Sequence, residues 1–261
     1  MRRTLPSYVV VVLSTLALAA SLAAPSSAQT EPTGEIAEII LVDALPGHGP
    51  QLEEGVKRHF EVARAQNAPW AWFMWEIMTG ENTGKYYVGT FGHAWSDFDQ
   101  PPADPEALRD SFRQNISPHV ERAQAGFWRM RAELSRLPAE MGDMPPPFDQ
   151  VFYYKPTLAG ASELEAVFRE IKGAADAASW SEHWEVYQLV NGGEMPLYAV
   201  ALPEESFAGF AEPTPNMGEM LGAHFGEQGA QALFQRFVAA VEWEKSEAIA
   251  FRQDLSYVPG M

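Results

Sequence analysis

Cysteine is absent from all 261 residues. No disulfide framework, thiol nucleophile, cysteine-held metal or lipid-modified cysteine is therefore available. Basic residues are scarce, 18 Lys and Arg against 35 Asp and Glu, for a formal charge of −17. Such a surface repels phosphate backbones and anionic lipid, which excludes nucleic acid and the membrane surface as partners. Solubility alone accounts for the acidity. Long hydrophobic runs are also missing: the apolar stretch Val9 to Ala20 falls short of the roughly 20 residues that span a bilayer. The sequence has no His-Glu-x-x-His helix and no acidic calcium loop, so no metal is expected. It also lacks a Gly-x-Ser-x-Gly elbow, and no helix follows Gly80 to Gly84 to make it a phosphate loop.

What is present begins with a leader. Arg2 and Arg3, the apolar run and the small residues Ser26-Ser27-Ala28 make residues 1–28 a signal peptide cleaved near Ala28. The general export route and a periplasmic or secreted location follow, with no membrane attachment after cleavage. Removing the two arginines takes the formal charge from −17 to −19.

The mature part carries an internal echo. Val120-Glu121 through Arg131, Leu134, Ser135 and Pro138 match Val241-Glu242 through Arg252, Leu255, Ser256 and Pro259, each pair 121 positions apart. Repeat one, 29–138, reads as a strand over 35–45, a helix carrying Leu52, Val56 and Phe60, and strands over 70–79 and 85–91 around the turn Gly80 to Gly84. A helix capped by Asp104-Pro105 follows, and another restarts at Ser117-Pro118 and runs to about Leu134. Repeat two, 149–261, gives a strand over 150–155 and a helix opened by a Ser162/Glu165 capping box. Strands over 180–190 and 197–202 and a closing helix through Leu233, Phe237 and Val241 complete it. Residues 139–148 are a Pro-rich linker. The earlier elements match at an offset of 110 or 111, as in Trp70 with Trp180 and Tyr86 with Leu197, so about ten extra residues fall in 203–218. Leu134-Ser135 and Leu255 to Val258 supply a short final strand in each copy.

The expected class is α+β, two ferredoxin-like βαββα(β) repeats. Both faces of the strand Trp70 to Met78 are apolar, Trp72 and Met74 on one and Phe73, Trp75 and Ile77 on the other, so both must be covered. The antiparallel sheets then pack face to face as an α/β barrel within one chain, a monomer with an internal pseudo-dimer that can pair further. In element order, duplication and aromatic hairpin strands, residues 35–259 resemble the dimeric α/β-barrel superfamily in a fused tandem form. The resemblance implies relatives among cofactor-free monooxygenases, haem-binding and haem-degrading proteins and muconolactone-type isomerases, and does not choose among them.

Chemistry-bearing residues are few. His183, Glu185 and Tyr187 share one face of a strand, and in an apolar chamber would supply a base, an orienting carboxylate and a hydrogen-bond donor for proton abstraction. The bland alternative turns Trp184 inward and leaves His183 and Glu185 toward solvent. At an offset of 110, Phe73 corresponds to His183 and Trp75 to Glu185 in repeat one, an apolar face that makes any chemistry lopsided. With Trp184, these aromatics are candidate ligand walls. Glu76, on the opposite face, is expected in a salt link or at a rim. His59 lies near the inward stripe of its helix, where it approaches a ligand or simply packs. Arg131 and Arg252 anchor a substrate carboxylate or, with Glu133 and Asp254, tie down a helix-to-strand corner. The leading expectation is a binder of a small apolar or aromatic molecule without a cofactor. The rivals are a cofactor-free monooxygenase or isomerase built on His183, Glu185 and Tyr187, a haem protein, and an interaction module with a solid barrel.

Overall fold

The β-branched run near residue 40 pairs on both sides and becomes β1 (Ile36–Ala44) of a computed structural model that describes residues 34–99, 105–139, 142 and 144–260. The expected signal peptide over 1–28, the Asp104 cap and part of the 139–148 linker lie outside the described residues. After β1 come α1 (Gly49–Ala65), β2 (Phe73–Ile77), β3 (Tyr86–His93), α2 (Pro105–Asn115) and β4 (Val120–Met130). The same order returns as β5 (Phe148–Pro156), α3 (Ala161–Ala178), β6 (Glu185–Asn191), β7 (Tyr198–Glu204), α4 (Met217–Ala240) and β8 (Val241–Phe251). All neighbouring strands are antiparallel, and the ring β1-β3-β2-β8-β5-β7-β6-β4 closes. Each half contributes one ferredoxin-like sheet, β4-β1-β3-β2 or β8-β5-β7-β6. The α+β barrel within one chain is thus the observed fold.

Two expectations need correcting. The stretch after Ser117-Pro118 is not a helix: Val120–Met130 is an eleven-residue strand, and the closing helix of the second half stops at Ala240, with Val241–Phe251 a strand of equal length. Ala, Glu, Gln and Arg dominate Val120 to Arg129 and favour a helix locally, but a continuous ladder against β1 overrides them. The Ser162/Glu165 capping box does not form either, since the N-cap of α3 is Gly160, two residues before Ser162. The box that exists joins Asn216 and Glu219 at the start of α4.

Odd-numbered residues of β2 point into the barrel and even-numbered ones under the helices, as a period of two requires. Phe73, Trp75 and Ile77 join Val151, Ala199, Ile249 and Phe251 in the lumen. Met74 and Tyr86 pack with Leu52, Val56 and Phe60 of α1, while Val186 and Tyr198 pack with Leu164, Val167 and Phe168 of α3. Both faces are covered, as the sequence required. The outer cores are exchanged at their ends. Leu134, which follows β4, is fully buried in the second half's core, and Leu255 and Tyr257, which follow β8, sit in the first half's core.

Equivalent hydrogen bonds fix the true register of the halves. The Tyr86 hydroxyl donates to Glu53 (2.8 Å) and the Tyr198 hydroxyl to Glu165 (2.7 Å). Ser256 Oγ accepts from the Met74 backbone and Ser135 Oγ from that of Val186. Tyr86 therefore matches Tyr198, an offset of 112 rather than 110 or 111, and Trp75 matches Tyr187 rather than Glu185. The 121 offset of β4 and β8 stands, so nine extra residues, not ten, precede β8.

Candidate functional site

The seams that close the barrel are short. Strand β2 meets β8 only from Trp75/Phe251 to Ile77/Ile249, and β4 meets β6 only over Phe127 to Met130. Beyond Ile249 toward its start, β8 keeps its ladder with β5 but leaves β2, and the β2–β3 hairpin stands over the gap. A half-open cleft of about 370 Å³ results, lined by Glu81 and Asn82 of the hairpin, Tyr87 of β3, Tyr153 of β5, and Trp243, Lys245, Ser246 and Glu247 of β8.

One hydrogen-bond chain organises this cleft. Tyr153 donates its hydroxyl proton to Tyr87 (3.0 Å), Tyr87 donates to Glu247 Oε2 (2.8 Å), and Asn82 Nδ2 donates to Glu247 Oε1 (2.7 Å). Every donor turns toward the buried Glu247, as an acceptor-only carboxylate demands. Burial first pushes both phenols well above the ordinary tyrosine range; contact with Tyr153 and the Glu247 charge add to it at Tyr87, and the Glu247 charge adds to it at Tyr153 against the bond to Tyr87, so each keeps its proton. At the rim Lys245 Nζ pairs with Glu81 (2.6 Å) and lies 5.1 Å from the Trp243 ring centre.

Gly80 lets the hairpin close on this chain. It has φ +87°, and a Cβ there would stand 2.9 Å from Glu247 Cγ and 3.1 Å from the Ser246 carbonyl. Gly80→Ala should cost about 1–2 kcal/mol through the left-handed backbone and push Glu247 off its partners. Chemical denaturation checks the cost. The opposite seam holds the equivalent turn glycine, Gly192, against Ala125 and Gly126. There Gly126 stands where Glu247 does, Ala199 where Tyr87 does and Leu41 where Tyr153 does, so only one seam carries the polar chain.

A second polar group lies at the other end of the lumen. Tyr187 donates to Glu185 Oε2 (2.7 Å), and Asp149 of β5 faces the same chamber. Burial, then the Glu185 charge, push the Asp149 carboxyl up to about 8, against the opposing influence of the Trp75 indole. That indole Nε1 is buried without a partner in hydrogen-bonding geometry. Here the space is filled by the protein itself: Phe73, Trp75, Phe91 and Phe251 pack with ring centres 5.8–6.3 Å apart, and Phe91 meets Tyr187 at 6.0 Å.

The sequence candidates are placed as follows. Glu185, Tyr187, Phe73 and Trp75 face this chamber; His183 precedes the first residue of β6, half-buried, and takes no part in the Glu185–Tyr187 bond. Trp184 points the other way, beneath the helices, and donates Nε1 to the Leu134 carbonyl (2.9 Å). His59 bonds Ser111 between α1 and α2, away from the lumen (3.2 Å). Arg131 and Arg252 lie outside the barrel. Arg131 binds Glu133, Glu165 and Gln188, and Arg252 binds Asp254, Glu53 and Glu76, the salt link expected of Glu76. Tyr87, Tyr153, Glu247 and Asp149 were not singled out by sequence. Alternation along Val241–Phe251 was the available signal: it puts Lys245, Glu247 and Ile249 on one face.

The chain matches no protein-family model and no curated protein. Solved structures share its fold. An anthrone oxidase-like protein superimposes with a TM-score of 0.55 at 10% identity, covering 88% of this chain and 95% of its own. A monooxygenase candidate from Lactobacillus acidophilus gives 0.51 at 9%, covering 88% and 98%. A chlorite dismutase from Candidatus Nitrospira defluvii, in complex with imidazole, gives 0.51 at 10%, covering 85% and 92%. The chain has the dimeric α/β-barrel fold. Identities this low establish the fold and leave activity to the site.

Proposed function

We propose that this is an exported protein that binds a small aromatic or apolar molecule in the cleft at the hairpin end of its barrel. One observation carries the reading: the cleft is bounded by three aromatic rings and by a hydrogen-bond chain ending on a buried carboxylate, whereas the opposite end is packed solid. About 370 Å³ suits a ligand of one or two rings. The pseudo-dimeric barrel needs no second chain to form this site.

The Tyr153–Tyr87–Glu247 chain favours a second reading, a cofactor-free enzyme of the monooxygenase or isomerase kind. A ligand with an acidic C–H or O–H at Tyr153 can pass its proton along the chain to Glu247. The anthrone oxidase-like and monooxygenase-candidate neighbours make anthrone a reasonable probe for it. For haem, the cleft's lining offers no histidine as an axial ligand.

Trp243 makes the reading testable. Titration with 2-naphthol and anthrone should change the protein's tryptophan emission saturably, and Trp243→Phe should abolish that change. A saturable response that survives Trp243→Phe and is untouched by Tyr153→Phe would place binding elsewhere. Proton abstraction would show as Glu247-dependent exchange of the anthrone C–H for deuterium, lost in Glu247→Gln.

A further inference from the structure

We infer that the cleft selects an organic cation, an ammonium carried on a small apolar or aromatic body; this rests on the cleft being the ligand site. Hydrogen-bond direction comes first. The Tyr153 and Tyr87 hydroxyl protons and one Asn82 amide proton are committed inward, and the Asn82 oxygen is taken by Lys85 Nζ (3.1 Å). Donors in the lining, Lys245 Nζ and the Ser246 hydroxyl, stand on the exposed stretch of β8, whereas the buried Glu247 and Tyr153 Oη offer a ligand acceptor capacity. A ligand that donates is therefore matched at the buried carboxylate.

Charge and ring faces point the same way. The lining sets two carboxylates, Glu81 and Glu247, against the single ammonium of Lys245. Tyr87, Tyr153 and Trp243 provide the electron-rich faces that attract a cation. The protein already demonstrates the contact with its own side chain: Lys245 Nζ lies 5.1 Å from the Trp243 centroid and 2.6 Å from Glu81. A ligand ammonium sits one step deeper, against Glu247. The formal charge of −17 adds a long-range field that concentrates cations and disfavours anions. The opposite seam shows that this is not a property of the fold, since Gly126 and Gln124 stand there in place of Glu247 and Lys245.

Three probes of one shape and three charges decide the matter by isothermal calorimetry: 2-phenylethylammonium, 2-phenylethanol and phenylacetate. The cation is expected to bind at least tenfold more tightly than the alcohol, with phenylacetate weakest. Raising NaCl from 0.05 to 0.5 M should narrow the gap severalfold. Glu247→Gln should remove the preference and leave the alcohol's affinity within about threefold. Lys245→Met, at the exposed rim and safe for folding, should strengthen the cation by freeing Glu81. Equal or tighter binding of the alcohol or of phenylacetate overturns the cation inference and leaves the cleft as a ligand site. No binding by any of the three at millimolar concentration, with Trp243 emission unchanged, overturns both.

Discussion

Arg131→Ala is expected to lower the unfolding free energy by about 3 kcal/mol, an effect out of proportion to one side chain. Arg131 Nη1 donates to Glu165 (2.6 Å) and to Gln188 (2.7 Å), and its Nε donates to Glu133 (2.8 Å). Arg131 and Glu165 are only 15% and 17% exposed. Without the guanidinium, Glu165 keeps Tyr198 and the exposed Arg169 but loses its close counter-ion in a poorly solvated place. Burial pushes the Glu165 carboxyl up, but the hydrogen bonds from Arg131 and Tyr198 and the nearby guanidinium charges outweigh it and hold the group below its ordinary value. A lowered acid stabilises the fold above the unfolded value of 4.5 and stops doing so as pH falls through its folded value. The penalty of Arg131→Ala should thus be largest near neutrality and shrink below about pH 4.5. Urea melts of the wild type, Arg131→Ala, Glu165→Gln and the double variant at pH 7 and pH 4 measure it. A coupling energy within error of zero at pH 7 would show that the pair is incidental.

Asp149→Asn should act in the opposite sense and raise stability as the solution becomes alkaline. The Asp149 carboxyl is raised from 3.8 to about 8 by burial and by the Glu185 charge. An acid raised on folding contributes fully below its unfolded value and loses that contribution as pH climbs through the folded one. The window for Asp149 is therefore about pH 4 to 8. At ~1.4 kcal/mol for each unit of separation the ceiling is roughly 6 kcal/mol, and relaxation of the chamber brings the expected gain to about 2–3 kcal/mol at pH 8. Asparagine has nearly the same shape, its oxygen can face the Trp75 indole, and its amide can donate to Glu185. Thermal melts of both proteins from pH 4 to 9 should diverge progressively; a constant separation across that range would remove Asp149 as the titrating group.

How much of this was legible depended on periodicity. The two apolar faces of Phe73–Ile77 required cover on both sides, and from that the closed barrel followed before any coordinates. Val120–Met130 misled because its composition is helical, and its strand character comes from β1 on one side and β6 on the other. A helical reading of the equivalent strand β8 likewise conceals Glu247, the cleft's carboxylate. Glu185 and Tyr187 were found together because they lie two apart on one strand. Asp149, Tyr87 and Tyr153 were not, because their partners stand 36 to 160 positions away, and a linear reading has no distance to work with. At an offset of 110 the error is two residues, which preserves the face and names Glu185 as the counterpart of Trp75 when the true equivalent is Tyr187; at 111 it is one residue, which names Leu197 for Tyr86 in place of Tyr198.

The exchanged tails tie each half's core to a segment contributed by the other. Glu53 waits for Arg252, 199 positions later, and Tyr257 carries the hydroxyl that reaches the Ala68 carbonyl in the first half. A nascent chain that has completed β4 holds a helix whose acidic residue has no counter-ion and a core missing Leu255 and Tyr257. The first half's core is therefore completed only by residues from the far end of the chain.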